Sequence, residues 1–225
     1  MSHLHEKRFP GESDDYRRAR NALLEAELAL EDNLRQVAAL RQDLPLGGPV
    51  PEDYVFDTLD AGQQSTLRMS DLFADGKANL FVYSFMFGAD ETAPCPACTS
   101  LVDGFHGTAA HIQSTMNMAV VARAPIEKLA AFAEGRNWFG FRLLSSAKNS
   151  YNADYFAETP AGVQIPAANI FVRRNGEIRH FFSTEMLYVD RPGQHPRHVD
   201  RIWPIWNLLD MTPEGRGDWG PKLAY

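Results

Sequence analysis

Between residues 13 and 44, apolar side chains return every three to four positions, at Tyr16, Ala19, Leu23, Ala26, Leu30, Val37, Leu40 and Leu44, with a polar interruption at Asn33. That spacing predicts one helix over 13–43 carrying a coiled-coil-like seam. Ser13 is placed to cap it. Asp14 and Asp15 suit the positive end of its dipole, Arg35 and Arg41 suit the negative end, and Pro45, Gly47 and Gly48 stop it. The seam packs either on the chain's own domain or on a second copy. A homodimer is the expectation, with Asn33 favouring one register at some cost in stability.

Beyond the glycines the pattern shortens. Tyr54–Phe56 and Thr66–Met69 are strand candidates, and Ser70-Asp71-Leu72-Phe73 reads as one capped helical turn. Residues 79–87, NLFVYSFMF, form a nearly unbroken apolar run of strand length, as a central strand covered on both faces requires. Pro96 stands where a proline can open a helix, because a first-turn position needs no amide hydrogen; that helix is predicted to reach about Gln113. A second apolar strand over 116–122, a proline-initiated helix over 125–134 and a third strand over 141–144 follow. Residues 168–173 and 177–182 flank Asn175-Gly176, the strongest two-residue hairpin signal. Trp203, Trp206 and Trp219 lie in the tail, where Pro204 is expected to disturb any helix.

The order is strand, helix, strand, helix, then antiparallel hairpin. Strand–helix–strand units imply parallel pairing, and a terminal hairpin adds an antiparallel edge. The prediction is an α/β chain with a thioredoxin-like fold, a central mixed sheet flanked by helices, and an N-terminal helical extension. Residues 1–48 form the arm and residues 49–225 the domain.

Composition narrows the function classes. The net charge of -7 and the lack of a long basic cluster argue against a nucleic-acid partner. No apolar run is long enough to cross a bilayer; the longest, around Leu80–Phe87, is interrupted by Ser84. Residues 1–10 are polar and lack the apolar middle of a signal peptide, which points to the cytoplasm. There a cysteine pair is expected to be catalytic or metal-binding rather than a permanent disulfide.

The chain has two cysteines, in Cys95-Pro96-Ala97-Cys98. Two cysteines fall at that spacing by chance in about one arrangement in a hundred. The pair follows a buried strand and opens a helix, where unpaired backbone amides and the helix dipole favour negative charge on Cys95. Cys95 is therefore the expected nucleophile, and Cys98, one turn further in, the resolving thiol. No bound organic cofactor is required, and the partner is a protein or small-molecule thiol or disulfide. Ile165-Pro166 stands just before the hairpin, where thioredoxin-fold oxidoreductases place a cis-proline against the dithiol; a cis bond beside the sulfurs is the expectation.

Several segments together resemble a known family. They are the helix ending in DLP, then DYVF, SDLF, FVYSFMFG, CPAC, VARAP, NWF, LSS, the 151–156 segment YNADYF and the closing LLDMTPEGR. In these the chain is similar to bacterial thioredoxin-like proteins catalogued as domain of unknown function number eight hundred and ninety-nine and described as predicted dithiol–disulfide oxidoreductases. The resemblance covers nearly the whole chain and implies that chemistry class without a substrate. The family commonly carries Gly and Ser where this chain has Pro94 and Ala97. Its histidine after the dithiol helix corresponds to His111-Ile112. Its DFNYDF-like segment differs at Tyr151 and Ala153 and keeps Asn152 and Asp154.

Other residues are candidates for the site. Arg123, in VARAP, would stabilise the Cys95 thiolate if its guanidinium lay nearby, and is otherwise a loop cation. The strand run holds no acid to accept the Cys98 proton; Asp90, Glu91 and His111 are candidates. Thr92, three residues before Cys95, partly matches a peroxiredoxin pattern whose expected proline is replaced by Gly88, so peroxide reduction is the enzymatic alternative. A binding-protein alternative has Cys95, Cys98 and a histidine among His106, His111, His195 and His198 holding copper or zinc; no metal ligand is assigned.

Overall fold

The computed structural model describes residues 4–74, 76–189 and 199–225. The chain divides into two compact units, with the boundary between Pro45 and Leu46.

The first unit is built on helix α1, Asp14–Gln42. Ser13 caps it as predicted: its Oγ accepts the Tyr16 amide at 3.1 Å. The Asp43 amide closes the other end on the Ala39 carbonyl at 2.9 Å. Arg17 is the buried residue of α1 and is ion-paired with Glu12. Tyr16, Leu23, Leu30, Leu40 and Leu44 of the apolar seam are exposed.

The second unit is a seven-stranded sheet. Its strands are β1 (Val55–Asp60), β2 (Gln63–Arg68), β3 (Asn79–Ser84), β4 (Asn117–Ala122), β5 (Arg142–Ser145), β6 (Ala167–Arg174) and β7 (Glu177–Ser183). They are ordered β2-β1-β5-β4-β3-β6-β7. β3, β4 and β5 run parallel, and β6, β7, β1 and β2 add antiparallel pairs. Helix α2 (Pro96–Gln113) joins β3 to β4, and α3 (Ile126–Gly135) joins β4 to β5. The block β4-β3-β6-β7 with its crossover helix is the core of a thioredoxin-like fold, here widened by β5, β1 and β2.

Strand alternation sorts the core into two layers. On one face Phe81 and Tyr83 of β3 and Met118 and Val120 of β4 pack under α2 and α3, with Leu101, Phe105, Leu129 and Trp138. On the other, Leu80, Val82, Ala119 and Val121 pack with Tyr54, Phe56, Tyr151 and Phe171. Both faces of β3 and β4 are covered, which is why each reads as a continuous apolar run.

Both hairpins turn on residues with positive φ: Asn175 and Gly176 at 53° and 83°, as predicted, and Ala61 and Gly62 at 49° and 82°. The second hairpin joins β1 to β2, where the apolar pattern showed only two fragments. Two short helices are additional, α4 (Tyr151–Asp154) and α5 (Pro204–Leu209). Pro204 opens α5 instead of disturbing it, since its missing amide falls where no helical bond is made. Trp203 and Trp206 tuck into the α2 face of the core.

Candidate active site

The apolar run does not stop at the last ladder residue of β3. The Phe85 amide bonds the Val121 carbonyl, and the Ala124 amide bonds the Phe87 carbonyl, both at 2.8 Å. The loop that follows is held from two sides. Lys128 Nζ donates to the carbonyls of Gly88 (3.2 Å), Ala89 (2.7 Å) and Glu91, and its ammonium lies 4.7 Å from the centre of the Phe87 ring. The Glu91 carboxylate accepts the Gly88 amide at 2.7 Å and Gln164 Nε2 at 2.9 Å, while Gln164 Oε1 accepts the Phe87 amide at 3.0 Å.

This loop delivers Cys95 as the residue capping the N-terminus of α2, with Pro96 in the first helical turn. The Cys95 amide donates to the Met86 carbonyl at 3.0 Å, and its own carbonyl accepts the Thr99 amide (3.0 Å) and hydroxyl (2.9 Å). Both cysteines are free thiols. Cys95 is half-buried, and Cys98 is 2% exposed and packs in the α2 layer of the core.

The two sulfurs differ sharply in acidity. The Cys98 thiol donates a hydrogen bond to Cys95 and, with the amides of Cys98 and Ala97, pulls the Cys95 thiol down to about 6. Burial and the Glu91 charge act in the opposite direction and are outweighed. Cys98 is held well above the usual thiol range, first because its proton bridges to Cys95, then by burial and the neighbouring negative charge. The Tyr83 side chain and the Met86 backbone oppose that rise. Tyr83 is itself buried, and burial keeps its hydroxyl protonated well above the ordinary tyrosine range.

The structure assembles part of the predicted site. Cys95 and Cys98 lie together at the head of α2. Pro166 lies at the same end of the sheet, since Ala167 stands opposite Ser84 in the β3–β6 ladder. The Ile165–Pro166 bond, however, is trans, and no peptide bond among the described residues is cis, which corrects the cis expectation. The chain enters β6 from a small bridged loop, with Glu158 opposite Gln164 and the Ile165 amide on the Ala157 carbonyl at 2.9 Å. An extended approach of that kind is met by the trans isomer that X–Pro bonds intrinsically prefer.

Arg123 is held by partners of its own. Its Nε pairs with Glu158 at 3.0 Å, and Nη1 donates to the carbonyls of Ser146 (2.7 Å) and Asn149 (3.3 Å). The guanidinium charge is thus matched by Glu158, and the Cys95 thiolate relies on Cys98 and helix amides instead. Arg123, Glu158, Asp90, Glu91 and Gln164 line a cleft of about 400 Å³ against the loop that carries Cys95. Thr92 is exposed.

Of the candidate acceptors of the Cys98 proton, Asp90 lines that cleft. His111 lies 13 residues along α2 from Cys98, about 20 Å at the helical rise. Glu91 is engaged with Gly88 and Gln164 and acts on Cys95. His106 contacts the Phe139 carbonyl at 3.1 Å and packs edge-on to that ring. His195 and His198 lie outside the described residues; among the described residues no three His, Cys, Asp or Glu side chains group as a metal site. Tyr83, which the sequence reading does not single out, belongs to the same core layer as Cys98. Its position in an apolar run made it look like core, and strand alternation, which puts it on the α2 face, was the available signal.

A thioredoxin-like fold with a dithiol at the head of the helix after its central strand defines the class. The chain belongs to the family of bacterial proteins of unknown function (DUF899), whose model matches residues 6–224. No curated protein matches it. Among solved structures it is similar to a variant of peroxiredoxin Q from Xanthomonas campestris, at 14% identity and a TM-score of 0.48 over 74% of this chain and 98% of that one. It is also similar to peroxidoxin BcpB from Mycobacterium tuberculosis, at 18% identity and 0.46 over 72% and 95%. Enterococcus faecalis AhpC gives 18% identity and 0.45 over 78% and 98%. No helix among the described residues is long and apolar enough to cross a membrane.

Proposed function

We propose that this protein is a thiol–disulfide oxidoreductase in which Cys95 attacks and Cys98 resolves. The observation that carries the reading is the placement of the two thiols, Cys95 partly exposed at the N-cap of α2 and Cys98 buried one turn further in, which agrees with a lowered Cys95 and a raised Cys98 thiol. At neutral pH one sulfur is a partly exposed thiolate, while the other is buried and keeps its proton.

The reaction follows from that order. The Cys95 thiolate attacks one sulfur of a substrate disulfide, a mixed disulfide forms, and the other substrate sulfur leaves as thiolate. The Cys98 thiolate then attacks the Cys95 sulfur. The Cys95–Cys98 disulfide forms and the second substrate thiolate departs with the electron pair. The substrate gains two electrons, and a thiol reductant returns them to the protein in the reverse exchange. The 88–94 loop supports the reading, because Lys128, Glu91 and Gln164 fix it from outside the dithiol and so hold Cys95 in place before substrate arrives.

Mixing the reduced protein with a small aromatic disulfide tests this. The expected result is release of two aromatic thiolates per chain and a protein lighter by two hydrogens, with a Cys95–Cys98 link in its peptide map. Release of one thiolate and a stable adduct on Cys95 would contradict the resolving role of Cys98.

A further inference from the structure

The loop that delivers Cys95 also walls the cleft of about 400 Å³, a volume within the range of about 300–1,000 Å³ that small-ligand sites occupy. The cleft begins close to the dithiol. Gly88 lies on its wall, two residues beyond Met86, whose carbonyl takes the Cys95 amide at 3.0 Å. At most about 7 Å of extended chain separates the wall from that bond. The bridged loop leading to Pro166 supplies another stretch of wall, with Glu158 and Gln164.

The polar groups of the cleft are fixed in place without being filled. Arg123 engages Glu158 through Nε and the Ser146 and Asn149 carbonyls through Nη1. Among the described residues its Nη2 has no hydrogen-bond partner, and neither do Glu158 Oε1 and the Asp90 carboxylate. Glu91 differs, because its carboxylate already takes the Gly88 amide and Gln164 Nε2. A planar donor held by its other nitrogens thus shares the cleft with two carboxylates that have acceptor capacity left. An α-amino acid group answers both needs from one carbon, with a carboxylate for Nη2 and an ammonium for Glu158 and Asp90. A ligand with carboxylates alone would set negative charge beside Asp90, Glu91 and Glu158. A ligand with ammonium groups alone would leave the Arg123 donor unfilled. The carboxylates do not group as a metal site among the described residues.

We propose that this cleft binds the α-amino acid end of a small disulfide, so that the substrates are disulfides of low-molecular-weight amino-acid thiols, with cystine the simplest. The proposal rests on the dithiol-exchange reading and names its substrate class. Arg123 holds the carboxylate, and Glu158 and Asp90 hold the ammonium. Cys95 attacks one cystine sulfur and the first cysteine leaves as thiolate; Cys98 then displaces the second from Cys95. The protein dithiol is oxidised to a disulfide, and cystine is reduced to two cysteines that take up the two protons the dithiol released.

The test compares three disulfides with the reduced protein: cystine, its dimethyl ester, which lacks the carboxylates, and N,N′-diacetylcystine, which lacks the ammonium groups. Each rate is divided by that of dithiothreitol with the same disulfide, which removes differences in intrinsic reactivity. Wild type should favour cystine over either analogue by about ten- to a hundredfold, the range that one hydrogen bond to a charged group spans. Arg123→Gln should lose the preference over the ester and keep that over the diacetyl compound; Asp90→Asn should weaken the second preference and keep the first. Equal normalised rates in wild type, or an unchanged preference over the ester in Arg123→Gln, overturn the proposal. A second measurement needs neither variant nor thiol chemistry. S-methylcysteine, which carries the amino acid group without a disulfide, should shift the amide resonances of Gly88 and Gly162 and the side-chain amide of Gln164; no shift there overturns the cleft as an amino acid site. A wild type inert to all three disulfides and to an aromatic one overturns the dithiol-exchange reading and the substrate class with it, while the S-methylcysteine shifts still report on the cleft alone.

Discussion

The Cys95 amide donates to the Met86 carbonyl at 3.0 Å, joining the exit of the central strand to the first residue of the dithiol helix. The bond fixes where the helix begins, and with it which sulfur meets the helix amides. Cys95 takes the capping position and receives the amides of Ala97 and Cys98, while Cys98 is turned one helical step inward.

The first prediction concerns pH. Cys95 titrates at about 6, so its alkylation rate should be near its plateau at pH 7 to 8 and fall as the pH drops through 6. At pH 5 roughly a tenth of Cys95 remains thiolate. The sign follows from the thiolate being the reactive form. Cys98→Ala removes the foremost cause of the depression, and the midpoint should move up. Iodoacetamide rates against pH check both, and an unshifted midpoint in the variant contradicts the hydrogen bond between the thiols.

What the sequence reveals depends on whether burial or polarity carries the signal. Residues 79–87 and 116–122 are legible because both faces of β3 and β4 are covered, which leaves continuous apolar runs. Strand β2, QQSTLR, is almost wholly exposed and has no apolar period to read. Pro96 and Pro204 open helices by the same rule, yet Pro204 stands among tryptophans with no upstream strand to mark a helix start. Within the site the dithiol is legible because it is local in sequence. Tyr83 reads as core because its ring packs as core. The Arg123 pairing is not legible because its partner Glu158 is 35 residues on and no spacing announces it.

A second prediction concerns the edge beside β7. The Gly47 amide bonds the His180 carbonyl at 2.9 Å, so the chain lies close against the strand, and a Cβ on Gly47 would come within 2.7 Å of that carbonyl oxygen. Gly47→Ala should cost about 1–3 kcal/mol, because backbone on both sides leaves little room to relax. Gly48→Ala meets nothing within 4 Å and is the control. Urea unfolding distinguishes them, and equal stability of the two variants contradicts the close approach.

A third prediction concerns assembly. Leu23 and Leu30 are exposed seam positions on α1, and the account expects the seam to pair two copies. Wild type should run as a dimer in light scattering, and Leu23→Asp with Leu30→Asp should run as a monomer. A monomeric wild type contradicts the pairing.

The most direct test of the central claim is mass spectrometry of Cys98→Ser and Cys95→Ser after exposure to a small disulfide and, separately, to hydrogen peroxide. The account predicts that Cys98→Ser accumulates a covalent adduct on Cys95 that reductant releases, while Cys95→Ser, whose remaining thiol is 2% exposed, traps almost nothing. Rapid conversion of Cys95 to sulfenic acid by peroxide, with no reaction toward the disulfide, would point to a peroxidase instead. Equal trapping by both variants, or none by either, would contradict the assignment of Cys95 as nucleophile and Cys98 as resolving thiol.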